Sequence, residues 1–244
     1  MPGKASGSMM ANLKKRPDPL TSVALTIPVF LTYHLGILAT QARSGVDVVS
    51  NTIFGTLKAS APVYAVVTLC LALVVATVTW VEERRGATQT MSLWRVIGEG
   101  ALAAVVVVAA LSWATNSVLE STNPAKLQEL KDLSVGEMLV LAAGTAFHEE
   151  IIFRALLCTL LSVILLKVFR VSKGVALGIA IALSSVAFAL IQNWGPFGQE
   201  FVADHALYRL VLGVCFAGLF LFRGFAVAVY THVFFEILVY FLYL

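Results

Sequence analysis

The sequence predicts an all-α fold, a polytopic transmembrane helical bundle of about seven membrane helices. Three observations carry this reading. Apolar types make up 59 % of the 244 residues and charged types only 13 %, where a soluble domain carries about 25 % charged residues. The apolar residues run in long blocks rather than in scattered periodic stripes. Most Lys and Arg residues fall between those blocks. A soluble globular enzyme, a disordered chain and a disulfide-stapled secreted scaffold are excluded, and a net charge of +3 gives no reason to expect a nucleic-acid partner.

Residues 1–19 are rich in Gly, Ser, Lys and Pro and end in KKRPDP. They read as a disordered cytoplasmic tail, followed by a single transmembrane domain over 20–244. Apolar blocks follow at 20–40, 62–81, 96–114, 136–166, 174–191, 208–221 and 225–244. Crossing the hydrocarbon takes about 20 helical residues. Backbone polar groups in lipid must be paired internally, so the blocks are helices. The first block is longer than the apolar part of a signal peptide, about 7–15 residues, and it contains Pro28 and His34. The fourth block is too long for one upright crossing, so it tilts, breaks or runs beyond the bilayer. A break there would add an eighth crossing.

Smaller features complete the pass. NPAKLQELKD at 123–132 reads as a short amphipathic surface helix, and the 86–100 loop with Trp94 and Arg95 reads as interfacial. GVALG at 174–178 suggests a small-xxx-small helix contact. Cys70, Cys158 and Cys215 all lie in apolar blocks and are expected to be small buried hydrophobes. Lys and Arg counts in successive inter-block segments alternate as 4, 2, 3, 2, 3 and 0. That pattern favours a cytoplasmic N-terminus in the cell (inner) membrane.

Ionisable residues at membrane depth are costly, about 2.5–3.5 kcal/mol each at a helix centre on insertion scales. Here they concentrate in two places. His148, Glu149, Glu150 and Arg154 lie in AAGTAFHEEIIFRALL, and His232 and Glu236 lie in AVYTHVFFEILVYF. Gln192 and Asn193 end the fifth block. Helical residues advance by about 100°. Glu150 and Arg154, four apart, share a face and can pair. Glu149 points about 140° from Arg154 on the same geometry. One carboxylate is thus expected to be neutralised and the other left free, a candidate general base in a low-dielectric site. His232 and Glu236, also four apart, project together from another helix. The bland alternative is a buried salt-bridge network that only fixes packing; it is favoured for Glu150 with Arg154, whereas Glu149 and the His232/Glu236 pair point to chemistry. His34 reads as a packed or pore-facing residue and His205 as solvated near the outer interface. HEEII at 148–152 lacks the second histidine of a zincin. No cofactor is expected; zinc held by His148, His232 and Glu236 is the alternative.

Glu149-Glu150-Ile151-Ile152-Phe153-Arg154 matches the EExxxR motif of the CPBP proteases, the CAAX protease and bacteriocin-processing family. Phe188 to Gln192 (FALIQ) sits where that family has FxxxH. Val211 to Glu236 resembles its last block, which has spaced glycines, an Arg-Gly turn and then HxxxN or HxxxD. The resemblance covers residues 136–244. It implies that Glu149 activates a water, that Glu150 with Arg154 supports it, and that His232 donates to the oxyanion. Two positions depart from the pattern. Gln192 replaces a histidine and would orient the water without taking its proton. Glu236 replaces Asn or Asp, and as an anion it would repel an oxyanion. His148 could substitute for the missing histidine, although it points about 100° from Glu149.

The function expected is that of an intramembrane endopeptidase. Its substrate is expected to be a hydrophobic or membrane-anchored protein or peptide, cut near its C-terminus in CAAX-protease-like or sortase-like processing. The lipid bilayer is the other partner. Two alternatives belong to other classes: a non-catalytic family member acting in bacteriocin immunity or binding, and a proton-coupled transporter whose intramembrane Glu and His form a relay.

Overall fold

A computed structural model of the chain describes residues 17–55, 60–86, 91–115, 132–191, 193 and 201–243. All regular structure among them is helical. The helices are α1 Pro19–Leu25, α2 Ile27–Thr40, α3 Val48–Gly55, α4 Ala61–Arg84, α5 Leu93–Thr115, α6 Val135–Glu149, a π-helical segment Glu150–Cys158, α7 Thr159–Lys167, α8 Lys173–Ile191, α9 Ala203–Arg223 and α10 Phe225–Tyr243. The tail at 1–16 and the surface helix expected at 123–132, apart from Asp132, lie outside the described residues.

Five helices are long and apolar enough to cross a membrane, namely α4, α5, α8, α9 and α10; the bent pair α1–α2 makes a sixth. The protein is a multi-pass membrane protein. The α1–α2 bend of 42° has a local cause. Pro28 lacks an N–H, and its ring would clash with the carbonyl four residues back in an unbroken helix. The chain restarts at Ile27–Pro28, where proline suits the first turn. Asp18 caps α1 by accepting from the Thr21 N–H at 3.0 Å.

The long fourth block does not break. Residues 135–167 are helical throughout, with helical φ and ψ at both junctions of the π segment. At about 1.5 Å per residue a helix of this length exceeds the hydrocarbon thickness of about 30 Å. Ser134 starts it with a capping box: its hydroxyl accepts from the Glu137 N–H at 3.3 Å, and Glu137 accepts from the Ser134 N–H at 2.8 Å.

Helix α10 is the central element, packed against α1, α5, α6 and α9. Every residue from Phe225 to His232 is buried. A helix that is apolar all round belongs in the interior. Its first half joins Tyr33, Val96 and Val140 in one core; its second half contributes Phe235 to another with Phe153, Phe188 and Phe216. Helix α4 lies at the periphery, with Val63, Val66, Leu71 and Leu73 exposed. A single residue, Gly224, joins α9 to α10. Its φ of 99° is a conformation that side-chain-bearing residues avoid. Near this turn Glu99 of α5 accepts from Arg95 at 2.8 Å and from Arg223 Nε at 3.1 Å, tying α9 to α5.

Three sequence expectations are corrected. Trp94 and Arg95 lie in the first turn of α5, not in a loop. A Cβ at Gly174 or Gly178 would meet open space; α8 packs through Ala176, Ala180, Ser184 and Phe188, the stripe that faces the bundle. Cys70 is exposed on the peripheral helix, whereas Cys158 is buried and Cys215 half-buried.

Candidate active site

The site lies where the rod 135–167 crosses α10. Glu149 ends α6 and Glu150 opens the π segment. A π-helix bonds i to i+5 rather than i+4, and such stretches occur mostly as single turns, often at functional sites. Here the register change spans nine residues. Thr159 follows it, with its hydroxyl donating to the carbonyl of Arg154 at 3.2 Å, five residues back.

Five of the six predicted site residues converge. Arg154 Nε lies 3.4 Å from Glu150 Oε2, as the spacing implied. His232 Nδ1 lies 3.0 Å from Glu150 Oε1. The opposite ring nitrogen, Nε2, lies 3.6 Å from Glu149 Oε2 and 3.5 Å from Glu236 Oε1. Glu149, Glu150, Arg154 and His232 are each at most 1 % exposed. Glu149 is therefore not left free, as helix periodicity suggested. Its partner comes from α10, which a reading of one helix at a time cannot see. Gln192, the sixth residue, lies outside the described residues.

Arg154 is held in an aromatic cage. Its guanidinium carbon is 4.4 Å from the Phe188 ring centroid and 5.5 Å from that of Phe216. Cation–π attraction suits a desolvated guanidinium. Nη2 also donates to the Gly213 carbonyl at 3.4 Å. Helices α8 and α9 approach closely at this glycine: a Cβ at 213 would stand 3.0 Å from Ser185 Cβ and 3.2 Å from Phe188, so a neighbour would have to give way. Phe216 stacks on His232 at 4.3 Å between centroids and 24° between planes, fixing the imidazole against α9.

The sequence reading missed two polar residues at this site. Tyr240, one turn beyond Glu236 on α10, lies within electrostatic reach of that carboxylate. Arg209 of α9 is half-buried and lies within electrostatic reach of Glu149. The available signal was helical spacing: Arg209, Gly213 and Phe216 stand at i, i+4 and i+7, one face of α9.

His148 does not join this cluster, so it neither replaces the missing histidine nor completes a zinc site with His232 and Glu236. Its Nδ1 donates to the Gly144 carbonyl at 2.8 Å, and its Nε2 lies 3.3 Å from Asp47 Oδ1. The physical reason is the rotation between adjacent helical residues, which sends His148 toward α2 while Glu149 faces α10. Among the described residues, no three His, Cys, Asp or Glu side chains converge as a metal site.

Asp47 anchors a second buried network. It accepts from the Tyr33 hydroxyl at 2.8 Å and from the Ser50 N–H at 2.9 Å. Ser50 and His34 both meet the Tyr64 hydroxyl at 2.5 Å. Burial acts to raise the pKa of Asp47, but bonds from Ser50 and Tyr33 and the neighbouring His148 outweigh it and hold the carboxyl below its ordinary value. His34 is thus a packed, hydrogen-bonded residue. His205 lies in the first turn of α9, half-buried.

A multi-pass helical membrane protein with a buried glutamate–histidine centre is the class that this fold and site define. Residues 131–238 match the family model described as Rce1-like, type II CAAX prenyl endopeptidase. Over that segment, somewhat under half of the chain, the resemblance to the CPBP proteases read from EExxxR and the C-terminal block is borne out. The family is one of membrane proteases. No curated protein and no solved structure matches the chain.

Proposed function

We propose that the protein is a glutamic-type intramembrane endopeptidase that hydrolyses peptide bonds of membrane-tethered or lipidated proteins near their C-terminus. The observation that carries this reading is the convergence of Glu149 and Glu150 from one helix with His232 and Glu236 from another, all around one imidazole. An isolated ion pair that served packing alone would need Glu150 and Arg154 only.

In this reading Glu149 takes a proton from water and later returns it to the leaving amine. Glu150 and Arg154 hold His232 through its Nδ1, and Phe216 fixes the ring plane. Gln192 orients the attacking water. The reading requires a wet path to Glu149, since hydrocarbon excludes water. It also takes seven crossings, counting the rod 135–167, with a cytoplasmic N-terminus, location in the inner membrane and a site opening outward. It uses no metal.

The test is cleavage of membrane-protein candidates by the purified protein in detergent, read by mass spectrometry of new termini. Glu149→Ala is expected to abolish cleavage while inserting and folding normally, and a chelator is expected to leave wild-type cleavage unchanged. Retained proteolysis in Glu149→Ala overturns the assignment. The departures at Gln192 and Glu236 favour a second reading, a non-catalytic immunity or binding protein. There, Glu149→Gln would keep protection or binding intact.

A further inference from the structure

We infer that Asp47 and His148 are positioning residues for Glu149: together they fix the rotation of the last turn of α6, and so the direction in which the Glu149 carboxylate points. The inference rests on the hydrolytic reading above and deepens it by naming residues that act through the helix rather than on the substrate.

The need for such a clamp follows from where Glu149 stands. It is the last residue of α6, and the π segment opens at Glu150. The hydrogen-bond ladder changes register there, so the angular position of Glu149 follows the α-helical turn before it. The tolerance is small. A helix with its side chains has a radius of about 5–6 Å, so a rotation of about 10° carries a carboxylate about 1 Å sideways. A misplacement of about 1 Å can lower a rate about 10²-fold.

Contacts along one face of α6 hold that rotation. Gly144 and His148 lie at i and i+4, with Thr145 beside them. Gly144 lies under the Tyr33 ring, and a Cβ at 144 would collide with it. The Thr145 hydroxyl is 3.2 Å from that of Ser44. His148 is held twice. Its Nδ1 donates to the Gly144 carbonyl at 2.8 Å, and its Nε2 faces Asp47 Oδ1 at 3.3 Å, where the imidazole and the carboxylate interact electrostatically. The ring also meets Tyr33 edge-on, with centroids 5.1 Å apart.

Asp47 can serve as the fixed point because it is itself immobilised. It is fully buried. Its Oδ2 accepts from the Tyr33 hydroxyl at 2.8 Å and its Oδ1 from the Ser50 N–H at 2.9 Å. The Tyr33 oxygen accepts in turn from the Ser44 N–H at 3.1 Å. The carboxylate is thus held from α2 and α3, and His148 is the contact that adjoins Glu149. Neighbouring helical residues point about 100° apart. Holding His148 toward Asp47 therefore turns Glu149 toward α10, where its Oε2 lies 3.6 Å from His232 Nε2.

The test measures kcat and KM in detergent for wild type, Glu149→Ala, His148→Ala, His148→Gln, Asp47→Asn and the double variant Asp47→Asn/His148→Ala. The substrate is the fastest-cut protein of solubilised native membrane, purified, with new termini read by mass spectrometry. Assays run below each melting temperature, and rates are counted per folded molecule. His148→Ala is expected to lower kcat about 10–10²-fold with KM little changed. His148→Gln, whose amide can donate to Asp47, should keep an intermediate rate. The double variant should lose no more than the larger single loss, because two residues that act through one contact are not additive. A role in packing alone predicts a lower Tm with wild-type kcat per folded molecule. That result in His148→Ala, or single losses that multiply in the double variant, overturns the positioning role and leaves Glu149-dependent hydrolysis standing. Absence of any difference between wild type and Glu149→Ala overturns the hydrolytic reading and this inference with it.

Discussion

Glu149 Oε2 lies 3.6 Å from His232 Nε2, at the crossing of two helices whose side chains there are almost wholly removed from solvent. The opposite nitrogen of the same ring contacts Glu150. One imidazole thus links the two adjacent acids of the EExxxR segment, and its two nitrogens can be separated by substitution.

His232→Asn retains a donor near the Nδ1 position but has nothing at Nε2. The variant is expected to fold, because the contact to Glu150 survives, and to lose cleavage by about 10²-fold or more. Thermal unfolding in detergent alongside the new-terminus assay checks both halves. A variant that keeps wild-type cleavage would remove His232 from the reaction.

Arg154 compensates a fully buried carboxylate, so its removal should be costly. Arg154→Met is expected to destabilise by about 3–5 kcal/mol, because Glu150 is left as an uncompensated buried charge. Adding Glu150→Gln should recover part of that loss. A double-mutant cycle by denaturation in detergent measures the coupling. Additive losses would mean that the pair does not interact energetically.

Gly213 tests the close approach of α9 to α8. Gly213→Val places methyl groups where a bare Cβ already stands about 3 Å from Ser185 and Phe188. Overpacking of this kind costs about 1–3 kcal/mol. The shift of the helix should also displace Phe216 from His232, so cleavage is expected to fall together with melting temperature. Loss of neither would show that the helices can part without disturbing the imidazole.

Asp47 gives a stability prediction with a defined sign. Its folded pKa is depressed below the unfolded value of about 3.9. The stabilisation is therefore fully present above that value and is lost as pH falls through the folded pKa. Asp47→Asn should destabilise at pH 7 by about 1–3 kcal/mol, since the Tyr33 hydroxyl and the Ser50 N–H lose a charged acceptor. The gap between wild type and variant should close as pH falls below the unfolded value. A gap that persists unchanged at low pH would show that the carboxylate charge contributes nothing.

The sequence showed much of this architecture because apolar block length is a local property. The block at 62–81 became Ala61–Arg84, and 174–191 became Lys173–Ile191. The i, i+4 pairing of Glu150 with Arg154, and of His232 with Glu236, was likewise legible from a single helix. The short helix Val48–Gly55 and the buried loop around Asp47 were not legible. They lie between blocks, where hydropathy carries no signal, and their burial depends on Tyr33, His148 and Tyr64 from three other helices.

The sequence by itself determined that this is a helical membrane protein with acids and histidines stranded at membrane depth, because length, hydropathy and the cost of buried charge are all read along one dimension. Only the tertiary structure decided which of those groups meet. It sent His148 to Asp47 and His232 to Glu149, and it stacked Phe216 on the same imidazole. The physical reason is that a helix sets the direction of its side chains, whereas the packing of one helix against another sets what lies in that direction.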